Sequence, residues 1–150
     1  MKRRKITSAA AAVCLLSVLM LTSCSMFSRH KDITGVTTLP KENTVVMNSP
    51  SDGAFVNGSG NLTVKDGEMI HLKYELSSGS FDLAFHPGNE GLAVFESADL
   101  ENLPSEGDVF GRSGIEGSGE LDIEAPAGEY TVFFNMHSAV GSATAGTVKK

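Results

Sequence analysis

Met69-Ile70-His71-Leu72-Lys73-Tyr74-Glu75-Leu76-Ser77 is the stretch whose reading decides the fold. Ile70, Leu72, Tyr74 and Leu76 alternate with His71, Lys73 and Glu75, which is the period of an antiparallel strand with one face in a core and the other in water. Ser77, Ser78, Gly79 and Ser80 then read as a turn, after which Phe81, Leu83 and Phe85 alternate with Asp82, Ala84 and His86. A hairpin with a two- or four-residue loop sets Leu76 opposite Phe81, Tyr74 opposite Leu83 and Leu72 opposite Phe85, bringing every apolar group to one side. The same register sets His71 opposite His86 and Glu75 opposite Asp82 on the polar side. Pro87 to Gly91 ends the hairpin.

The pattern repeats on either side. Upstream, Thr44 to Met47 is a β-branched run closed by the turn formers Asn48 to Gly53. Ala54 to Val56 reads as a brief strand, Asn57 to Gly60 as a turn, and Leu62 and Val64 as a strand before the reverse turn at Lys65, Asp66 and Gly67. Downstream, Leu92 to Ser97 is a strand, Ala98 to Gly107 an acidic surface loop, and Val109 with Phe110 a short strand. Gly111 to Gly119 carries four glycines in nine residues, the composition of a mobile or ligand-contacting loop. Glu120 to Glu124 and Glu129 to Met136 alternate again, and a four-residue connection sets Ile123 opposite Tyr130 and Leu121 opposite Val132. Phe133 breaks the polar face of the second strand and is either covered or exposed. Ser142 to Val148 supplies a last strand of small residues at an edge.

Seven to nine short strands with frequent turn signals and no convincing helix predict an all-β chain, an antiparallel β-sandwich or jelly roll occupying residues 44–150. A signal helix and a disordered tether precede it. The tether is 24–43, because Ser25 to Asn43 shows neither a two-residue nor a 3.6-residue period.

The first residues place Lys2, Arg3, Arg4 and Lys5 before an apolar run from Ile6 to Leu21, then Thr22, Ser23 and Cys24. That is the order of a secretory signal, and the run is shorter than the roughly 20 residues of a spanning helix. Leu21-Thr22-Ser23-Cys24 resembles the lipobox of bacterial lipoproteins. The resemblance implies that residues 1–23 are removed, that Cys24 is acylated and becomes the mature N-terminus, and that the chain is held at a membrane of the bacterial cell envelope, the outer one where there are two. Several acyl chains on one residue would make a stable anchor. Of the two cysteines, Cys14 falls within the signal, so the mature domain has no disulfide and relies on its core. The end of the chain, with Gly128, Tyr130, Val132, Phe134 and Asn135, is similar to the closing hairpin of small extracytoplasmic sandwiches of the pre-peptidase C-terminal and GOLD types. That similarity implies a binding or accessory module.

Charge narrows the partners. The signal holds four of the twelve Lys and Arg and none of the eighteen acids, leaving the mature part eight basic residues and a formal charge of −10. Duplex nucleic acid is excluded as a natural partner. Eleven carboxylates against the single Arg112 lie between Glu90 and Glu129. They form either a solvated face or a site for cations or a basic partner.

Candidate chemistry is sparse. His71 and His86, paired across the predicted hairpin, could share a metal ion with a further ligand from a neighbouring strand. Asp99, Glu101, Glu106, Asp108 and Arg112 mark the loops at one end of the sandwich where a ligand could be met. Those acids lack the spacing of an EF loop. Gly111-Arg112-Ser113-Gly114-Ile115 is not the strand-to-helix elbow of a serine hydrolase, and His137 reads as an exposed turn residue. The sequence therefore points to an anchored binding module, without a cofactor, whose partner is an envelope protein or a small ligand. An enzyme or metal carrier using the His71 and His86 face is the alternative, and a structural spacer of the envelope is a third.

Overall fold

A computed structural model describes residues 34–89 and 107–150. They form six antiparallel strands in one continuous sheet and contain no helix. The strands are β1 (Gly35–Leu39), β2 (Thr44–Ser49), β3 (Asn57–Val64), β4 (Glu68–Pro87), β5 (Phe110–Ile123) and β6 (Gly128–Lys149). Along the sheet the order is β1, β2, β6, β4, β5, while β3 pairs with the first half of β6 on the side where β2 pairs with the second half.

The sheet packs as a sandwich because its two longest strands fold over. Ile123 at the end of β5 lies beside Ile70, whereas Tyr130 near the start of β6 lies beside Pro87. The seven residue steps from Ile123 to Tyr130 span at most about 25 Å, but seventeen steps of straight strand from Ile70 to Pro87 would cover about 56 Å. Strand β4 must therefore double back. The break falls where the pairing of β4 with β6 shifts register, between Leu76 and Ser80. One layer holds β1, β2 and the halves of β6, β4 and β5 around Ala143, Leu72 and Leu121. The other holds β3 and the halves of β6 and β4 around Val132 and Phe85, with the start of β5.

The bend depends on three residues. Gly79 has φ +69°, Ser138 has φ +51° and Gly141 has φ +144°. A Cβ on Gly79 would overlap the backbone of Ser138, and one on Gly141 would overlap the backbone of Glu75 and Leu76, so the two strands turn in contact, main chain against main chain. Ser77 Oγ donates to the Val140 carbonyl at 3.2 Å, and buried Ser49 Oγ donates to the Ala139 carbonyl at 2.7 Å, tying β2 to the same corner.

The inward side chains are those the alternation selects. Ile70, Leu72 and Leu76 meet Phe81, Leu83 and Phe85 in one core with Val45, Met47, Leu62, Val64, Val132 and Phe134. Phe81 anchors it, with ring centroids 5.6 Å from Phe134 and 5.9 Å edge-on to Tyr74.

The flank opposite β5 is closed by side chains. Asn43, at φ +46° in the β1–β2 turn, donates from Nδ2 to the Thr63 carbonyl at 2.6 Å and accepts the Thr63 N–H on Oδ1 at 2.9 Å, as a neighbouring strand would. Thr38 Oγ1 accepts the Asn61 N–H at 2.8 Å. Gly58 and Gly60 permit this approach, since a Cβ on either would press on Val36 or Val45.

Several expectations are corrected. Ser77 to Ser80 is no hairpin loop: Phe81 to Phe85 pairs with β5 and β6, not with Leu72 to Leu76. Likewise Ile123 does not pair with Tyr130, because β5 and β6 flank β4 on opposite sides. In both places a close chain reversal crosses between layers instead of forming a ladder within one. Among the described residues the first strand, β1, starts at Gly35, inside the expected tether, and pairs with β2 along its whole length. Asn57 to Gly60 is strand, its glycines serving close approach. Gly111 to Gly119 is also strand, with Gly114 and Gly117 at positive φ where β5 is kinked. Ser142 to Val148 lies inside the sheet between β2 and β4, where Ala143 and Ala145 are fully buried. Leu92 to Ser97 lies outside the described residues.

Candidate functional site

Each of the three described histidines lies against an aspartate, and β4 contributes one member of every pair. His71 Nδ1 is 2.7 Å from Asp122 Oδ1, His86 Nδ1 is 3.3 Å from Asp108 Oδ1, and His137 Nε2 is 2.7 Å from Asp82 Oδ2. The first pair lies on the solvent face of one layer and the other two on the outer face of the other. His71 and His86 are fifteen positions apart on one strand, with Asp122 and Thr131 as respective register partners. The cross-hairpin histidine pair is therefore absent, and with it the geometry that suggested a shared metal. No group of three His, Cys, Asp or Glu side chains disposed to hold a metal ion occurs among the described residues.

The most developed cluster centres on Asp82. Strand alternation sends its side chain away from the core, yet the residue is only 5% exposed. Asp82 Oδ1 accepts the Gly114 N–H at 2.9 Å, and Oδ2 accepts from His137 Nε2 at 2.7 Å and from Asn135 Nδ2 at 3.4 Å. Three strands meet at one carboxylate. Pairing of Asp82 with Asn135 sets two of these groups side by side, and the kink at Gly114 turns a β5 amide toward the third position. A carboxylate with three donors is well solvated by protein, and it holds the half-exposed His137 ring in one orientation.

Toward the other end of this face, the Asp108 side chain is 3% exposed beside His86. Thr131, fully buried, donates to the Gly88 carbonyl at 3.1 Å. Phe133 and Ala84, paired between these two clusters, are completely buried. Phe133 is thus covered, which settles the alternative the sequence leaves open.

Of the residues marked for a ligand loop, Asp108 belongs to this buried pair and Arg112 is exposed on β5 rather than on a loop. Asp99, Glu101, Glu106 and Cys24 lie outside the described residues. Sequence reading misses the Asp82–Asn135–His137 grouping because it depends on β4 lying beside β6, a pairing of residues more than fifty positions apart. The available signal is phase alone: Asp82, Asn135 and His137 interrupt apolar runs at positions where the next strand also carries a polar group.

One tyrosine is electrostatically distinct. Burial raises the pKa of the Tyr130 hydroxyl above its usual value, and the hydroxyl donates to the Pro126 carbonyl at 2.7 Å, closing the crossover between β5 and β6.

No protein-family profile matches the chain, and no curated protein sequence matches it either.

Proposed function

We propose that the protein is a bacterial envelope lipoprotein, fixed to a membrane through lipid on Cys24, whose β-sandwich is a binding or accessory module. The observation that carries this reading is the Leu21-Thr22-Ser23-Cys24 motif behind a basic start and a short apolar run. A compact domain without cysteine suits an exported chain that must persist without disulfides. The polar groups described above agree with a binding role. Asp82 is held by three donors, and the described His71 and His86 each lie against an aspartate, so these polar groups knit the strands of the module together. The acidic surface favours a basic or neutral partner over anionic lipid.

Intact-mass measurement of the protein from the membrane fraction tests the anchor. The expected result is a mass increased by acyl chains on a chain beginning at Cys24, with detergent required for release. Cys24→Ser should leave the precursor uncut and unacylated. An unmodified Cys24, or release by buffer alone, would defeat the proposal.

A further inference from the structure

Strand β5 ends the sheet: β4 lies along one side and, among the described residues, no strand lies along the other. From Ser118 to Ile123 it keeps unbroken register with Glu75 to Ile70. These six residues contain no proline and no bulge, and the positive-φ glycines of β5, Gly114 and Gly117, fall before them. An edge of this kind offers alternate N–H and C=O groups to any extended chain laid against it.

Its two side-chain rows limit what can lie there. On the solvent face stand Glu120 and Asp122, with Glu124 just past the strand end, and the Glu120, Asp122 and Glu124 side chains are 55, 61 and 83% exposed even though Lys73, His71 and Lys150 approach them. On the core face Leu121 sits at the rim, packed on the core but only partly covered. A second copy adding its own β5 would set carboxylate against carboxylate, which cross-strand pairing disfavours. A strand with Lys or Arg on one face and branched apolar residues on the other would pair the charges and cover Leu121.

We propose that Ser118–Ile123 is a docking edge, which takes an extended segment of a partner protein, alternately basic and apolar, as an added strand. This deepens the binding-module reading and rests on it.

The test uses the full chain in detergent micelles with two blocked hexapeptides, Lys-Val-Lys-Val-Lys-Val and Glu-Val-Glu-Val-Glu-Val, read by amide hydrogen exchange. The lysine peptide is expected to slow exchange roughly tenfold at alternate amides between Ser118 and Ile123, those whose N–H points away from β4. The effect should saturate, and binding should weaken several-fold between about 50 and 300 mM salt. The double variant Glu120→Lys with Asp122→Lys, both on exposed side chains, should transfer the preference to the glutamate peptide. Unchanged exchange over 118–123, equal protection by both peptides, or protection that rises with protein concentration alone would overturn the proposal. Acylation of Cys24 affects none of these readouts, so failure of the anchor and failure of the edge are distinguishable.

Discussion

Gly79 and Ser138 face each other at the corner of the sandwich, both at positive φ, with the Cβ position of the glycine already occupied by the serine backbone. Gly79→Ala therefore has to move one strand off the other as well as accept an unfavourable backbone. The same holds for Gly141→Ala against Glu75. Each substitution should cost upward of about 3 kcal/mol, seen as a lowered denaturant midpoint with no change in slope. Ser138→Gly relieves the left-handed conformation and should be neutral or stabilising by up to about 1 kcal/mol.

Asp82 gathers donors from β5 and β6, so its removal takes away an acceptor that both strands share. Asp82→Ala should destabilise by about 2 to 4 kcal/mol, since Gly114 N–H, Asn135 Nδ2 and His137 Nε2 lose the charged acceptor they share at a carboxylate that is itself only 5% exposed. Asn135→Ala takes away the longest of these three contacts to Asp82, at 3.4 Å, and leaves the Gly114 and His137 donors in place, so it should cost less, about 1 kcal/mol. Chemical denaturation of both variants checks the order, and equal losses would refute the ranking.

Asn43 stands in for a missing strand. Asn43→Ala deletes both of its hydrogen bonds to the Thr63 main chain and should cost about 1 to 2 kcal/mol. Exchange at the Thr63 amide should accelerate more than at core amides such as that of Phe134. Asn43→Gly keeps the positive φ and loses the same bonds, separating the clip from the turn.

Tyr130 makes stability depend on alkaline pH. Its folded pKa is raised by burial, so the unfolded chain gives up the hydroxyl proton first. The contribution is fully present below the ordinary tyrosine pKa of about 10 and is lost as pH rises through the folded value. A denaturation series from pH 8 to 11 should show that loss, and Tyr130→Phe should flatten it. An unchanged pH slope in the variant would assign the loss to other groups.

How far the sequence carries can be judged residue by residue. Alternation placed Ile70, Leu72, Leu76, Phe81, Leu83 and Phe85 inward, and all six belong to the core. It misplaced their neighbours. Period two reports which face a side chain takes, whereas pairing is decided by long-range contacts, and a local reversal at Ser77 to Ser80 suits both a hairpin loop and a fold of the whole sheet. Glycine misled for a related reason. At Gly58, Gly60 and Gly119 the absent Cβ makes room for Val36, Val45 and Tyr74, a demand set by the opposite element and silent in the local pattern. The Asp82 cluster was illegible because its three partners come from strands that meet only after the sheet has folded.

Strands β4 and β6 each run through both layers, and this has a kinetic consequence. Neither layer can form by itself, since the first half of each long strand commits the second to the facing layer. Most pairings also join residues far apart in the chain, β4 with β6 across some sixty positions and β2 with the stretch of β6 from Gly141 to Ala145. The domain should fold slowly for its size, in a single step, and unfold as one unit. A chain made this way keeps the edges of β2, β3 and β4 that face β6 open until its last strand has been synthesised.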